Sequence, residues 1–404
     1  MINKILNHYI RSTHKDNSVV YIGTISDSDL ISHLFRAAWY IPYIHGTIHE
    51  IFFLSRKLKS TLEPPEYMKM TKASINHIHF VSFITYLKRL RSAKIVIRTK
   101  KLSLLDQVLK KIFNLRIVNL DTKDPKSFEY ARYCDFIWRY LLPETKKKEI
   151  IEKERDKFVA YYKSIRKKYN SSFICGNGPS IENTFNFEVK NLFTIACNSA
   201  IKNRKLLDHL DLNVLCAGDP ISHLGVSNYA AKFRDDLIKE LEVLDFKLIS
   251  TLDYCYHLYI HYPHLEKKTI LIPRGKESRP NFSLNSDFFL PELDSTFNIH
   301  MAPIAGTLTQ KINLIGLDGK DPNPKNNEDF WAHSKTTHYH DLVDSGHLAH
   351  PTFKSHREKS TYDFHKFSLD LTFKKGEECG IQFNAVSHSF FECVEIIYSG
   401  KLMD

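Results

Sequence analysis

Short apolar runs alternate with helical stretches along almost the whole chain, and this restricts the fold more than any other feature. In the first part the runs lie at residues 19–23, 50–54, 94–97 and 115–120, with helical patterns over 102–113 and 125–142. The later part continues with runs at 173–175, 193–197, 213–217, 247–250, 269–272, 312–315 and 380–385. Runs this short and this rich in Val, Ile and Phe suit strands buried on both faces. Helices placed between them imply βαβ units and a mainly parallel sheet.

The alternation is interrupted once. Residues 144–170 carry many charges and few apolar side chains, which reads as a helix bridging two domains. The expected fold class is therefore α/β: two Rossmann-like domains with mainly parallel sheets, at residues 1–143 and 171–404. A chain of 404 residues is long enough for two such cores. Hydrophobic residues at 43% and charged residues at 25% describe a folded, non-fibrous protein. The first residues lack the pattern of a signal peptide, and no apolar run reaches the roughly 18 residues of a membrane span. Seven scattered cysteines without a CxxC pair fit a reduced, cytoplasmic protein. The net charge of +11 gathers at 88–101 and 146–168. That charge fits solvated helix faces, or an anionic partner such as a polyanionic glycan or a membrane surface. No nucleic-acid module accompanies it, so no nucleic acid is expected.

In parallel α/β sheets ligands bind outside the carboxyl ends of the strands. The run 173–175 leads into Gly176-Asn177-Gly178-Pro179-Ser180, the strand–turn–helix arrangement that presents backbone N–H groups to a phosphate. The next runs end in Asn198-Ser199, Gly218-Asp219-Pro220 and Gly316-Leu317-Asp318-Gly319. Each alone is ordinary turn chemistry; four on one sheet edge would line one cleft. The turn lacks GxGxxG with a following acid, and it lacks GK[ST]. The expected ligand is therefore phosphate-bearing but not bound as NAD or in a P-loop. Seven of the 21 histidines (333, 338, 340, 347, 350, 356 and 365) fall in one segment that reads as a lid, from which one ring would serve as general base. An isolated HxH at 338 and 340 gives no reason to expect a metal.

The motifs ICGNGPSIE, IACNSAI and CAGDPISHLGVSNYAAKFRDDL, in that order, resemble the nucleotide-binding half of bacterial sialyltransferases that use CMP-activated sialic acid. They are also similar to the related domain of the motility accessory factors that glycosylate flagellin. The resemblance covers residues 171–390 and implies that Gly176, Asn177, Gly178, Pro179, Ser180 and Asn198 hold CMP. It further implies that Ser295 and Thr296 approach the donor and that Asp318 lies in the nucleotide pocket. Asp219, where the family has Asn, falls on the sugar or acceptor side. The base would be His365, just before a helix at 366–378, with His350 and His333 as the other candidates. The implied reaction is inverting transfer of a CMP-activated acidic sugar (sialic acid, another nonulosonate or Kdo) to a glycan hydroxyl in bacterial surface polysaccharide synthesis, capsule or lipopolysaccharide. The CMP-sugar is substrate and no cofactor is needed. The acceptor would be a glycan or lipid-linked glycan, reached by peripheral contact with an anionic inner membrane. The same fold family contains a pterin pyrophosphokinase, so Mg-ATP diphosphotransfer is an alternative. A non-catalytic subunit binding glycan or sugar nucleotide is a third reading.

Overall fold

The Val-, Ile- and Phe-rich runs become interior strands, because only the middle of a helix-covered sheet hides both faces of a strand. The computed structural model describes residues 18–22, 27–44, 50–54, 62–320, 333–357 and 361–403. The chain divides into two units. One holds Met1–Pro143, Gly225–Asn228 and Asp344–Glu358; the other holds Glu144–Leu224, Tyr229–Val343 and Lys359–Asp404.

The first unit is built on β1 (Ser18–Ile22), β2 (Glu50–Leu54), β3 (Ile78–Val81), β4 (Ile95–Arg98) and β5 (Ile117–Asn119). Their order is β3-β2-β1-β4-β5, and every pairing is parallel. The sequence reading missed β3, a half-exposed edge strand whose IHFV has no continuous apolar run. The helix expected over 125–142 is instead broken. Pro125 opens a short 3-10 turn capped by Asp124, Phe128 takes a left-handed conformation at φ 45°, and helix resumes at Glu129–Cys134. A wide π turn then closes the segment at Ile137–Leu141.

A buried polar cluster fastens the returning segment Asp344–Glu358 into this unit. The fully buried Glu129 carboxylate lies 3.1 Å from His350 Nδ1 and 3.5 Å from Arg36 Nε, and it accepts the Thr352 hydroxyl at 3.1 Å. Arg36 also donates to the Ala349 carbonyl at 2.9 Å, and His350 Nε2 lies 2.7 Å from the Tyr40 hydroxyl. Burial alone pushes the Glu129 carboxyl up, but His350, Arg36 and Thr352 together hold it below its ordinary range.

The second unit carries β6 (Ser171–Cys175), β7 (Phe193–Cys197), β8 (Val214–Ala217), β9 (Lys247–Thr251), β10 (Thr269–Ile272), β11 (Lys311–Ile315) and β12 (Gln382–Ala385). The order is β10-β9-β8-β7-β6-β11-β12, again parallel throughout. The chain steps outward from β6 to β10 and then returns to the other side of β6. This makes β6/β11 the point where the winding reverses, the place where such sheets open a crevice. Helix Glu144–Ile165 lies in this unit and is more than a solvated bridge. Phe158 is fully buried in the core with Ile174, Phe193 and Ile249. Glu154, also buried, accepts the Leu271 N–H at 2.7 Å and pairs with Lys157.

Losing one partner of a buried ion pair costs about 3–5 kcal/mol, since the remaining charge stays desolvated. Glu129→Gln is therefore expected to lower the stability of the first unit by that order in urea unfolding. Because the Glu129 carboxyl is depressed when folded, its contribution is present above its ordinary value near 4.3 and is lost as pH falls through the lower folded one.

Candidate functional site at the carboxyl edge of the second sheet

All seven strands are parallel, so their carboxyl ends share one edge, and at its centre the turns after β6 and β11 are fused. Gly176 N–H donates to the Ile315 carbonyl at 2.8 Å and Gly178 N–H to the Gly316 carbonyl at 2.9 Å. Ser180 closes the clamp. Its N–H and its hydroxyl donate to the two oxygens of Asp318 at 3.0 and 2.9 Å, and its oxygen accepts Gly316 N–H at 3.0 Å. Burial raises the Asp318 carboxyl above its ordinary value, and the hydrogen bonds from Ser180 oppose that rise. A Cβ on Gly176 would overlap the Gly316 carbonyl oxygen, and one on Gly178 would overlap the Asp318 carboxylate. Gly316 itself sits at φ +77°, where only glycine rests without strain.

This geometry revises one expectation. Of the four N–H groups in 176–180, those of Gly176, Gly178 and Ser180 are committed within the protein. The two glycines serve the close approach of two turns rather than that of a ligand. The Asn177 side chain faces the other way along the edge, donating to Ser199 Oγ at 3.3 Å, while its Oδ1 is buried without a partner. Buried polar atoms without partners are rare, and this one marks Asn177 as a residue with unused hydrogen-bonding capacity.

The ends of β7 and β8 are joined through Asn198. This residue takes a left-handed conformation at φ 52°, which Asn tolerates better than most residues. Its amide lies 3.1 Å from Thr296 Oγ1 and accepts Gly218 N–H at 3.3 Å. Ser295, at φ 68°, is strained, and its hydroxyl accepts from the fully buried Asn298. A Cβ on Gly218 would stand 2.7 Å from Thr296 Oγ1. Asn198, Gly218, Ser295 and Thr296 thus form one rigid wall. Strained backbone of this kind gathers at functional sites.

The segment from His333 to Leu342 lies across the edge. Ser334 N–H donates to the Asn177 carbonyl at 3.0 Å, and its hydroxyl donates to Glu182 at 2.6 Å. The His333 and His338 rings stack at 4.4 Å, His340 meets His338 edge-on at 4.8 Å, and Tyr229 OH lies 3.0 Å from His338 Nδ1. Lys202 donates to the His338 carbonyl at 2.7 Å. Among the described residues no group of three metal-binding side chains is placed to hold an ion.

The structure separates the three candidate bases. His333 stands beside the Asn177 turn. His350 belongs to the first unit, is fully buried and has both ring nitrogens engaged, which corrects its assignment as a base. His365 does not precede a helix: it is the fifth residue of Thr361–Glu378, packed 5.2 Å from the Phe391 ring with Nδ1 3.9 Å from Asp294. Burial, not a helix terminus, lowers it to about 4. Asp219 is also reassigned. One carboxylate oxygen accepts the Ile221 and Ser222 N–H groups at 2.8 and 3.1 Å, and the other accepts the Ser222 hydroxyl at 2.8 Å. It is the cap of the turn leading to His223. Sequence reasoning missed Lys202, Tyr229 and His300. Tyr229 lay inside the CAGDPISHLGVSNYAAKFRDDL motif, Lys202 directly followed IACNSAI, and His300 stood four residues after Thr296.

Comparison with known proteins adds a distant likeness. No protein-family model and no curated protein matches the sequence. Among solved structures, the sialyltransferase CstII from Campylobacter jejuni, in complex with the substrate analogue CMP-3FNeuAc, aligns with 56% of this chain and 88% of its own, at 12% identity and a TM-score of 0.32.

Four histidines here are kept neutral chiefly by burial. His300 and His338 are lowered to about 3, and His223 and His365 to about 4; neighbouring His333 lowers His223 and His338 further, while Asp219 opposes the shift on His223. In the unfolded chain these rings titrate near 6.5, so below that value the unfolded state binds protons that the folded state excludes. The stability of the second unit is therefore full above about pH 6.5 and falls steadily on acidification. A pH series of urea midpoints checks this, and unchanged midpoints between about pH 6.5 and 4.5 would contradict it. Gly178→Val is expected to lower stability and weaken ligand binding together, because the new side chain displaces Asp318. A thermal melt as stable as the parent's would contradict the fused-turn reading.

Proposed function

We propose that the protein is an inverting glycosyltransferase that moves a CMP-activated acidic sugar to a glycan hydroxyl. The carrying observation is the continuous wall formed by Asn177, Ser199, Asn198, Gly218 and Thr296 at the ends of β6 to β8, with the His333 segment packed on the Asn177 turn. The motifs that resemble the CMP-dependent sialyltransferases lie in this wall. In this reading the nucleotide rests along it, where the Asn177, Asn198 and Thr296 side chains supply hydrogen bonds. Asp318 is turned into the Ser180 clamp, so its carboxyl does not oppose a phosphate.

The chemistry needs one proton acceptor. A neutral His333 takes the proton of the acceptor hydroxyl as that oxygen bonds to the anomeric carbon. The bond from the anomeric carbon to the phosphate oxygen breaks, and its electron pair leaves with CMP. His333 suits this role because it is partly exposed and one residue from the Ser334–Asn177 contact. His365 is instead buried, packed against Phe391.

A thermal-shift screen across CMP, CDP, UDP, GDP and ATP, with and without Mg²⁺, tests the donor class. Stabilisation by CMP without metal is expected; stabilisation only by ATP with Mg²⁺ would instead indicate diphosphotransfer. His333→Ala is expected to lower turnover about 100- to 10,000-fold with CMP affinity nearly unchanged. Normal turnover in that variant would move the role to His365.

A further inference from the structure

Two helices of the first unit carry more apolar surface than their sheet can cover. Phe83–Ser92 follows β3 and Leu104–Phe113 follows β4. Their inner residues Tyr86, Leu90, Leu109 and Phe113 meet Val20, Phe52 and Val96 in one cluster, so both helices lie on the same face of the sheet. At about 100° per residue, Leu104, Val108 and Ile112 form a second stripe turned away from that cluster. Phe83, Ile84 and Leu87 widen the apolar arc of the other helix in the same manner. Leu104 is 81% exposed, Ile84 71% and Phe83 60%. With Leu102, these make seven of the 18 large apolar residues exposed among the described residues, all within thirty positions. Scattered exposed leucines need no explanation; a cluster of this kind marks an interaction surface.

The charge around the stripes indicates what covers them. Residues 82–113 contain nine Lys or Arg and a single acid, Asp106, which is buried and held by Ser103 and Arg98. Lys94 donates to the Leu141 carbonyl and Arg89 lies beside Glu50. Lys88, Lys101, Lys110 and Lys111 are exposed cations on these two helices and the segment before the second. A second copy of the chain is a poor occupant, because a two-fold interface sets the same patch against itself and would oppose eight lysines. Nucleic acid would meet the cations but leave the apolar stripes uncovered. An anionic lipid surface satisfies both features. The stripes enter the boundary between headgroups and acyl chains, while the lysine stems run along the apolar surface and place their charges among the phosphates. No described helix is long and apolar enough to cross a membrane, so the contact lies on the surface.

We propose that helices Phe83–Ser92 and Leu104–Phe113 dock the protein on a bilayer rich in anionic phospholipid. The proposal rests on this face alone and holds whatever reaction the second unit carries out. The test is co-sedimentation of the full chain with vesicles of phosphatidylcholine, with and without phosphatidylglycerol. Binding to the mixed vesicles that weakens with added salt is expected. Lys110→Glu with Lys111→Glu should weaken it more than tenfold, since each cation contributes about fivefold in affinity. Leu104→Ser with Val108→Ser should weaken it about tenfold or more, with an unchanged melting temperature because both side chains are exposed. Failure to bind mixed vesicles, equal binding to neutral ones, or binding indifferent to both double variants would overturn the proposal. So would a dimer in analytical ultracentrifugation that Leu104→Ser with Val108→Ser dissolves, which would assign the face to a second copy.

Discussion

The close approach of two turns, after β6 and after β11, is the constraint on which the candidate site depends. Gly176 and Gly316 face each other with no room for a Cβ on either. The strands they end are the pair at which the sheet reverses its winding. Ser180 and Asp318 lock the approach with hydrogen bonds in both directions. Once these turns are fused, Asn177 is fixed toward the β7 end, and the remaining wall follows through Ser199, Asn198 and Gly218. A loosened clamp would move every later member of that chain of contacts.

Electrostatics support the same arrangement. The edge gathers histidines, yet burial keeps His223, His300, His338 and His365 neutral, so the site does not present a block of imidazolium charge. The His338 ring stacks on that of His333, and a neutral imidazole can accept a proton. The carboxylates nearby are occupied: Asp219 caps its own turn and Asp318 holds Ser180. The polar side chains joined along this edge at Asn177, Ser199, Asn198 and Thr296 are therefore amides and hydroxyls.

Much of the fold was legible because a parallel sheet writes itself as continuous apolar runs, and eleven of the twelve strands among the described residues coincide with such runs. The twelfth, β3, lies at an edge and keeps polar residues in place. The strand-end motifs were also legible, since turn residues after a buried run have few other uses. Three features were not. The role of Gly178 depends on Gly316, 138 positions away in sequence, so the same letters suit a phosphate cradle and a turn-to-turn contact. Asp219 and His350 carry chemistry that only their partners define, a turn cap in one case and a buried ion-pair cluster in the other. The return of Asp344–Glu358 to the first unit is a long-range event set by Glu129 and Arg36, and no local pattern announces it.

A crystal structure of the protein grown with CMP examines the central claim most directly. The nucleotide is expected at the carboxyl ends of β6 and β7, in hydrogen-bond contact with Asn177, Asn198 and Thr296 and beneath the His333 segment, with the Ser180–Asp318 clamp intact. Nucleotide density at any other edge of the second sheet, or contacts that require the clamp to open, would contradict it.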